Sequence, residues 1–502
     1  MRLGRGRAPL LSIAAVGFVA FSLAVISAAG CSFEPECGLT NDCNRCDPSL
    51  SADVVGDDCG FFVSRSSGDD TNDGSKARPL RTLDRAISLA GEKTNNVYAC
   101  ADEFEEAVHL PSGVKLFGGL DCEGGWAFAG GARKTTITAP AGQIALTLGG
   151  GERTTRVEHV VVRAPSATEP GGSSIAVLAL QGAIVEILES DLVAGDGASG
   201  SPGASSDAAS AKSGIAGGDG GAACEETDGI GGEEPEMNCG GTFSRGGKGG
   251  SGFYNHAGDG TDGVPALEGT GLGGSGQSSA ASCQAGTPGA DGDRGADGEG
   301  GKGMGTLSAS GFRGQPGEDG NRGYPGQGGG GGGGSRSAAL CPFGAGAENG
   351  AGGGAGGTGG CGGLGGKGGG FGGASIALAS VFATVTLDAV NVRTGRGGDG
   401  GSGGPAQLGG VGGFGGKGGA SKGEVSGGCD GGPGGRGGDG GFGGGGLGGP
   451  SIGIAFVGAA PTQSRVTFEL GKGGRGGIAP TVSGAGDDGI VTNALELVRT
   501  NP

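Results

Sequence analysis

Between Gly352 and Gly369 glycine yields only at every third position, to Ala355, Thr358, Cys361, Leu364 and Lys367. The period returns through Arg396, Asp399, Ser402, Pro405, Leu408, Val411, Phe414 and Lys417, and again through Asp430, Pro433, Arg436, Asp439 and Phe442. Three residues per turn is the repeat of a polyproline-II-type helix, which makes no hydrogen bonds of its own. In a Gly-Gly-x triplet two ridges of that helix are bare. Neighbouring helices can then come close enough to pair backbone with backbone, as buried peptide groups require. The competing reading of so much glycine is flexible linker. The tracts are therefore expected to be either polyglycine-II bundles or flexible loops, stapled in both cases by Cys224, Cys239, Cys283, Cys341, Cys361 and Cys429. Glycine takes 134 of the 502 positions and aromatics only 4%, so a hydrophobic core has to come from the segments between the tracts.

Three of those segments repeat one another. They begin at Ser173, Ala374 and Pro450; each opens on Ser-Ile, alternates apolar residues, passes a polar turn, writes a second strand and returns to glycine. Earlier in the chain come 135–139, 144–148, 157–164, 174–180 and 183–195, short runs rich in β-branched residues that suit stacked parallel strands. The simplest account makes all of them coils of one scaffold, with the glycine tracts leaving between coils and returning. Two stretches, from Gly286 and from Gly311, also keep glycine at every third position in a collagen-like way.

The N-terminus reads as an export signal. Arg2, Arg5 and Arg7 precede an uncharged apolar stretch that ends in small residues before Cys31. Ala29, Gly30 and Cys31 resemble the lipobox of bacterial lipoproteins, with Ala28 where leucine is usual, which implies lipidation of Cys31. Removing Cys31 from the 13 cysteines leaves an even number, as expected of disulfides in an exported chain. Cys37, Cys43, Cys46 and Cys59 cluster directly after the anchor. Cys43 and Cys46 form a C-x-x-C with no matching second half, so a disulfide role is preferred to zinc.

Residues 62–122 carry a family resemblance. Gly68, Asp70, Asn72, Gly74, Pro79, Leu80, Thr82, Leu83 and Ala86, then Phe104 and Glu106, then Gly113, Val114, Leu116, Gly118 and Gly119 resemble the opening of exported pectin-lyase-like proteins. Ser75 and Asp102 depart from that pattern. The resemblance implies an all-β fold, a right-handed parallel β-helix with an N-terminal capping helix, interrupted here by long glycine-rich insertions. Cys100 and Cys122 fall on neighbouring coils of such a helix and are expected to pair. The divisions are 1–30 signal, 31–60 Cys-rich tether, 61–195 β-helix core, 196–373 insertion, 374–395 coil, 396–449 insertion and 450–502 terminal coil.

A net charge of -18 argues against nucleic acid as a partner. No catalytic or metal-binding constellation stands out. The acidic cluster 101–108 reads as turn and rim, and His109, His159 and His256 have no evident nucleophile beside them. No cofactor is expected beyond weak Ca²⁺ binding by surface aspartates; the calcium nonapeptide repeat is not sustained. The glycine tracts resemble those of PGRS-like envelope proteins. That resemblance points to a lipid-anchored protein of the outer membrane or cell surface, structural or adhesive and without catalysis. Its partners would be the membrane, through the anchor, and envelope polysaccharide or surface proteins. The alternative is a carbohydrate-binding or polysaccharide-cleaving β-helix.

Overall fold

The computed structural model describes residues 45–499 apart from 52–53, 92–94, 206–208, 226–228 and 339. Cys31, Cys37 and Cys43 lie outside the described residues. The chain winds through three parallel sheets in turn, forming a parallel β-helix. The first sheet stacks Phe61–Val63, Asn96–Cys100, Lys115–Asp121, Thr154–Glu158, Ile184–Leu188, Thr384–Asp388 and Thr462–Ser464. The second runs from Glu103–Phe104 through Thr135–Thr138, Val160–Ala164, Asp191–Ala194 and Asn391–Arg393 to Thr467–Glu469. The third runs from Val108–Leu110 through Leu146–Leu148, Ser174–Ala179, Ser375–Val381 and Ser451–Val457 to Val491–Glu496. Leucine, isoleucine and valine side chains from all three sheets fill the interior.

One helix, α1 (Leu83–Ala90), closes the N-terminal end, burying Leu83, Ala86, Ile87 and Ala90. The residues behind the family resemblance build its start. Asp70 accepts the N–H groups of Arg81 and Thr82, each at 2.9 Å. The two oxygens of Glu106 accept from Leu83 and Asp84, each at 3.1 Å, capping amides that have no partner within the helix. Burial nevertheless holds the Glu106 carboxyl above its ordinary range.

The corner from the first sheet to the second is made by one left-handed residue in four successive coils: His159, Glu189, Ala389 and Arg465, with φ of 54°, 45°, 54° and 51°. Runs such as 157–164, continuous in the sequence, are therefore broken at that corner. None of these four residues is a glycine, so nothing in the sequence flags the turn.

The corner from the second sheet to the third is where every glycine tract leaves and returns, between 194 and 375, between 393 and 451, and between 469 and 491. All the tracts thus leave and return at one corner, each joining a second-sheet strand to the third-sheet strand that opens the next coil. A ladder of hydroxyls explains how the coil stays closed. Ser174, Ser375 and Ser451 stack in register, as do Ile175, Ile376 and Ile452. Ser174 donates to the Pro165 carbonyl and accepts the N–H of Gly195, both at 2.8 Å. Ser375 donates to the Gly195 carbonyl at 2.7 Å and accepts the N–H of Gly395 at 2.9 Å. Ser451 donates to the Gly395 carbonyl at 3.0 Å. Ser174 and Ser375 thus accept the amide with which the next tract departs, and Ser375 and Ser451 donate to the carbonyl from which the preceding tract departed.

Two outer faces are also covered. On the first sheet Phe62, Tyr98 and Phe117 stack at 5.0 and 5.5 Å beneath residues around Val55, Cys59 and Trp126. On the third sheet a hairpin from the first insertion, Thr306–Ser308 with Gly311–Arg313, lays Leu307 and Phe312 over Ile376, Ile452 and Val457. This explains why Ser375–Val381 is buried on both faces.

Leu378 sits in register between Val177 and Ile454, all three buried. Leu378→Ala is expected to cost about 2–5 kcal/mol in denaturant unfolding, and the amides of 174–179, 375–381 and 451–457 to exchange as one unit. In the last coil Arg465 grips Asp388, Nε to Oδ1 at 3.0 Å and Nη2 to Oδ2 at 2.5 Å, and lowers its pKa to about 2. Because the folded value lies below the ordinary 3.8, this contribution is full above 3.8 and is lost as pH falls towards 2. Hydrogen exchange should show the strand Thr462–Ser464 loosening over that window, whereas in Arg465→Gln the strand should be looser already above 3.8 and change less as pH falls.

Candidate functional site

The glycine tracts are ordered. They form a blade of extended helices projecting from the β-helix corner, bonded to one another at every third residue. The run 350–373 lies at its heart. Cys361 N–H donates to Lys212 O and Gly410 N–H to Cys361 O, both at 2.9 Å. Gly360 N–H donates to Gly435 O at 3.0 Å, Gly326 N–H to Gly360 O at 2.9 Å, and Gly356 N–H to Gly247 O at 2.8 Å. Outgoing and returning runs lie side by side: 395–420 is antiparallel to 350–373, whereas 350–373 and 428–450 bond in parallel. At about 3.1 Å per residue, the run 350–373 carries the blade about 70 Å from the scaffold.

The number of glycines per triplet matches the number of neighbours. Runs 196–221 and 284–302, with one glycine ridge over most of their length, lie at edges. The Gly-Gly-x runs are more enclosed, although 395–420 keeps its variable ridge and one edge open to solvent. The unbroken glycine run 328–334 is buried throughout and bonds to helices on every side, through Val264, Gly357, Thr287, Thr261, Gly354, Gln284 and Gly258. A Cβ on Gly331 would fall on the Lys248 carbonyl oxygen. The collagen-like stretches thus serve within one chain, as edge helices of the blade.

The blade's aspartates take the place of missing neighbours. Gly409 N–H donates to Asp439 and Gly418 N–H to Asp430, both at 2.8 Å, and Gly368 N–H to Asp319 at 2.9 Å. Arg436 and Phe442 donate their N–H to Asp291 and Asp297 at 2.7 Å. Lys367 and the Gly368 amide hold the Asp319 carboxyl below its ordinary value; for Asp430 the Gly418 amide acts first and Lys417 adds to it. Among the described residues no group of three or more His, Cys, Asp or Glu could hold a metal ion.

Disulfides pin the blade and the tether: Cys224–Cys341, Cys239–Cys361, Cys283–Cys429, Cys46–Cys59 and Cys100–Cys122. Those in the blade span 117, 122 and 146 residues. So many disulfides mark an exported chain. No helix among the described residues is long and apolar enough to cross a membrane.

The residues that would serve an enzyme are placed as follows. In the acidic cluster Asp102 accepts from Ser64 and Ser66, Glu103 from Thr138, and Glu106 caps α1. His159 is buried at its corner beside Glu158, 3.4 Å away, with Arg156 pairing both Glu158 and Asp47. His256 stacks on Phe253. What faces solvent is the variable ridge of 395–420: Leu408 is 56% exposed, Val411 61% and Phe414 82%. Sequence reading found that ridge by its period but had no signal for its exposure. It also missed Gln407, which stands in a glycine ridge; its amide donates to Ala209 O at 2.8 Å and accepts from Leu364 N–H at 2.9 Å.

A family model described as a protein of unknown function (DUF1565), associated with right-handed β-helix proteins, matches residues 66–176. That span covers the cap and the first coils. No curated protein and no solved structure matches the chain.

Gly331→Ala is expected to destabilise the blade by about 3 kcal/mol or more, because the new methyl must displace backbone. Val411→Ala, on the exposed ridge, should stay within about 0.5 kcal/mol of the parent. Thermal unfolding of the two variants checks this.

Proposed function

We propose that this chain is an exported envelope protein, lipid-anchored at Cys31 on the outer membrane or cell surface, with a structural or adhesive role and no catalysis. The β-helix serves as a stand, and the blade presents side chains to envelope polysaccharide or to surface proteins. The observation that carries this reading is the ridge of Leu408, Val411 and Phe414. Three large apolar residues stand in line on a chain of net charge -18, flanked by glycine. Contiguous exposed apolar surface marks sites of interaction. Asp102, Glu103 and Glu106 of the acidic cluster are engaged by serine and threonine hydroxyls and by the helix start, which favours the non-catalytic reading over a polysaccharide-cleaving one.

The test mixes the oxidised chain with acidic and neutral polysaccharides and with isolated envelope fragments, with and without Ca²⁺. It follows unsaturated ends, reducing ends and co-sedimentation together. Co-sedimentation without new ends is expected, reduced about tenfold when Leu408, Val411 and Phe414 are all changed to serine. New chain ends on any polymer would overturn the proposal in favour of an enzyme.

A further inference from the structure

A line of amide donors runs along 350–373 on the side facing 245–252. Gly353 N–H donates to Gly250 O and Gly356 N–H to Gly247 O, both at 2.8 Å. The chain then turns through the hairpin Glu236–Asn238 with Phe243–Arg245, and Gly359 N–H donates to Ser244 Oγ at 2.7 Å. Farther along, Gly368 N–H meets Asp319. Between these points the N–H groups of Gly362 and Gly365 have no partner among the described residues.

Their chain neighbours Cys361 and Leu364 line a cleft of about 650 Å³. Lys212, Asn238, Arg322, Leu364 and Gln407 line it, with the Cys239–Cys361 disulfide at its wall. It lies on the path a glycine helix would follow if 245–252 continued past the hairpin. Arg322 Nε donates to the Gly362 carbonyl at 3.2 Å, standing in for a donor such a helix would supply. Among the described residues, Gly412 and Gly415 also have donors without partners, on an edge open to solvent. Gly362 differs because it is buried. The charges at the cleft are of one sign: Lys212 and Arg322 line it, and no carboxylate does among the described residues.

We propose that this cleft binds an extended, acidic, glycine- or proline-rich peptide segment of a partner protein, which adds to the blade as one more three-residue-per-turn helix. Its carbonyls accept the N–H groups of Gly362 and Gly365. Its glycine ridge lies against 350–373, its acidic side chains reach Lys212 and Arg322, and its proline rings rest on Leu364 and the disulfide. This is the polyproline-II counterpart of strand addition to a sheet edge, in which main-chain bonds hold and side chains select. The proposal goes beyond the envelope role above and does not depend on the lipid anchor.

The experiment uses the full oxidised chain and fluorescent peptides of about ten residues, enough to span the cleft at about 3.1 Å per residue. The peptides are built on Gly-Pro-Asp, Gly-Pro-Lys and Gly-Pro-Ser. The Asp peptide should bind best, and binding should slow exchange of the Gly362 and Gly365 amides. Lys212→Glu with Arg322→Glu should weaken the Asp peptide about tenfold and favour the Lys peptide. Leu364→Trp should block the cleft without moving the unfolding temperature. The proposal is overturned by equal binding of all three peptides, by undiminished Asp-peptide binding in the double variant, by binding of an acidic polysaccharide in place of the peptide, or by no binding.

Discussion

The structure depends on the hydrogen bond between glycine peptides of neighbouring helices. A three-residue-per-turn helix satisfies none of its own N–H or C=O groups, so a blade built from such helices holds only if adjacent chains supply the partners. That requires close approach, and close approach requires ridges without a Cβ. The fully glycine run 328–334, the Gly-Gly-x runs around it and the Gly-x-y runs at the rim are one rule applied at decreasing degrees of enclosure. Where the lattice ends, aspartate side chains such as Asp319, Asp430 and Asp439 finish the row. Much of the chain's negative charge therefore has a structural use.

A lattice of near-identical helices has no register of its own, because a slip of three residues restores every backbone bond. The β-helix supplies the register. Each tract leaves and returns at the same corner, where Ser174, Ser375 and Ser451 fasten the coil, so outgoing runs start in step with the coils beneath them. Long-range disulfides then fix the blade farther out. The scaffold is conventional in its energetics, with α1 closing one end and leucine, isoleucine and valine filling the bore. The blade buries backbone and very little side chain.

Much of this was legible in the sequence. The repeated Ser-Ile segments stack in register, and the motif from Gly68 to Gly119 belongs to the cap and first coils. The period of three could be read, but the choice between bundle and loop could not, since it turns on whether other runs lie alongside. The left-handed corners at His159, Glu189, Ala389 and Arg465 left no trace because four different residue types, none of them glycine, occupy them, held by the coils above and below. The return to glycine marked where the tracts depart, but not that every departure stacks at one corner, because a hydroxyl ladder depends on stacking, which a linear reading cannot see. Gln407 is different: it breaks the glycine ridge in plain view, and the break marks the cleft beside Leu364 and Arg322.

The side-by-side packing of outgoing and returning helices has a mechanical meaning. A pull on the blade's tip, resisted at the scaffold, runs along the helix axes and loads the crosswise hydrogen bonds in shear. Bonds sheared together must fail together, whereas bonds peeled from one end fail one at a time. Helices already near full extension lengthen little before that limit. The blade is therefore a stiff, nearly inextensible strap that would pass a tug at its far edge to the β-helix almost undiminished.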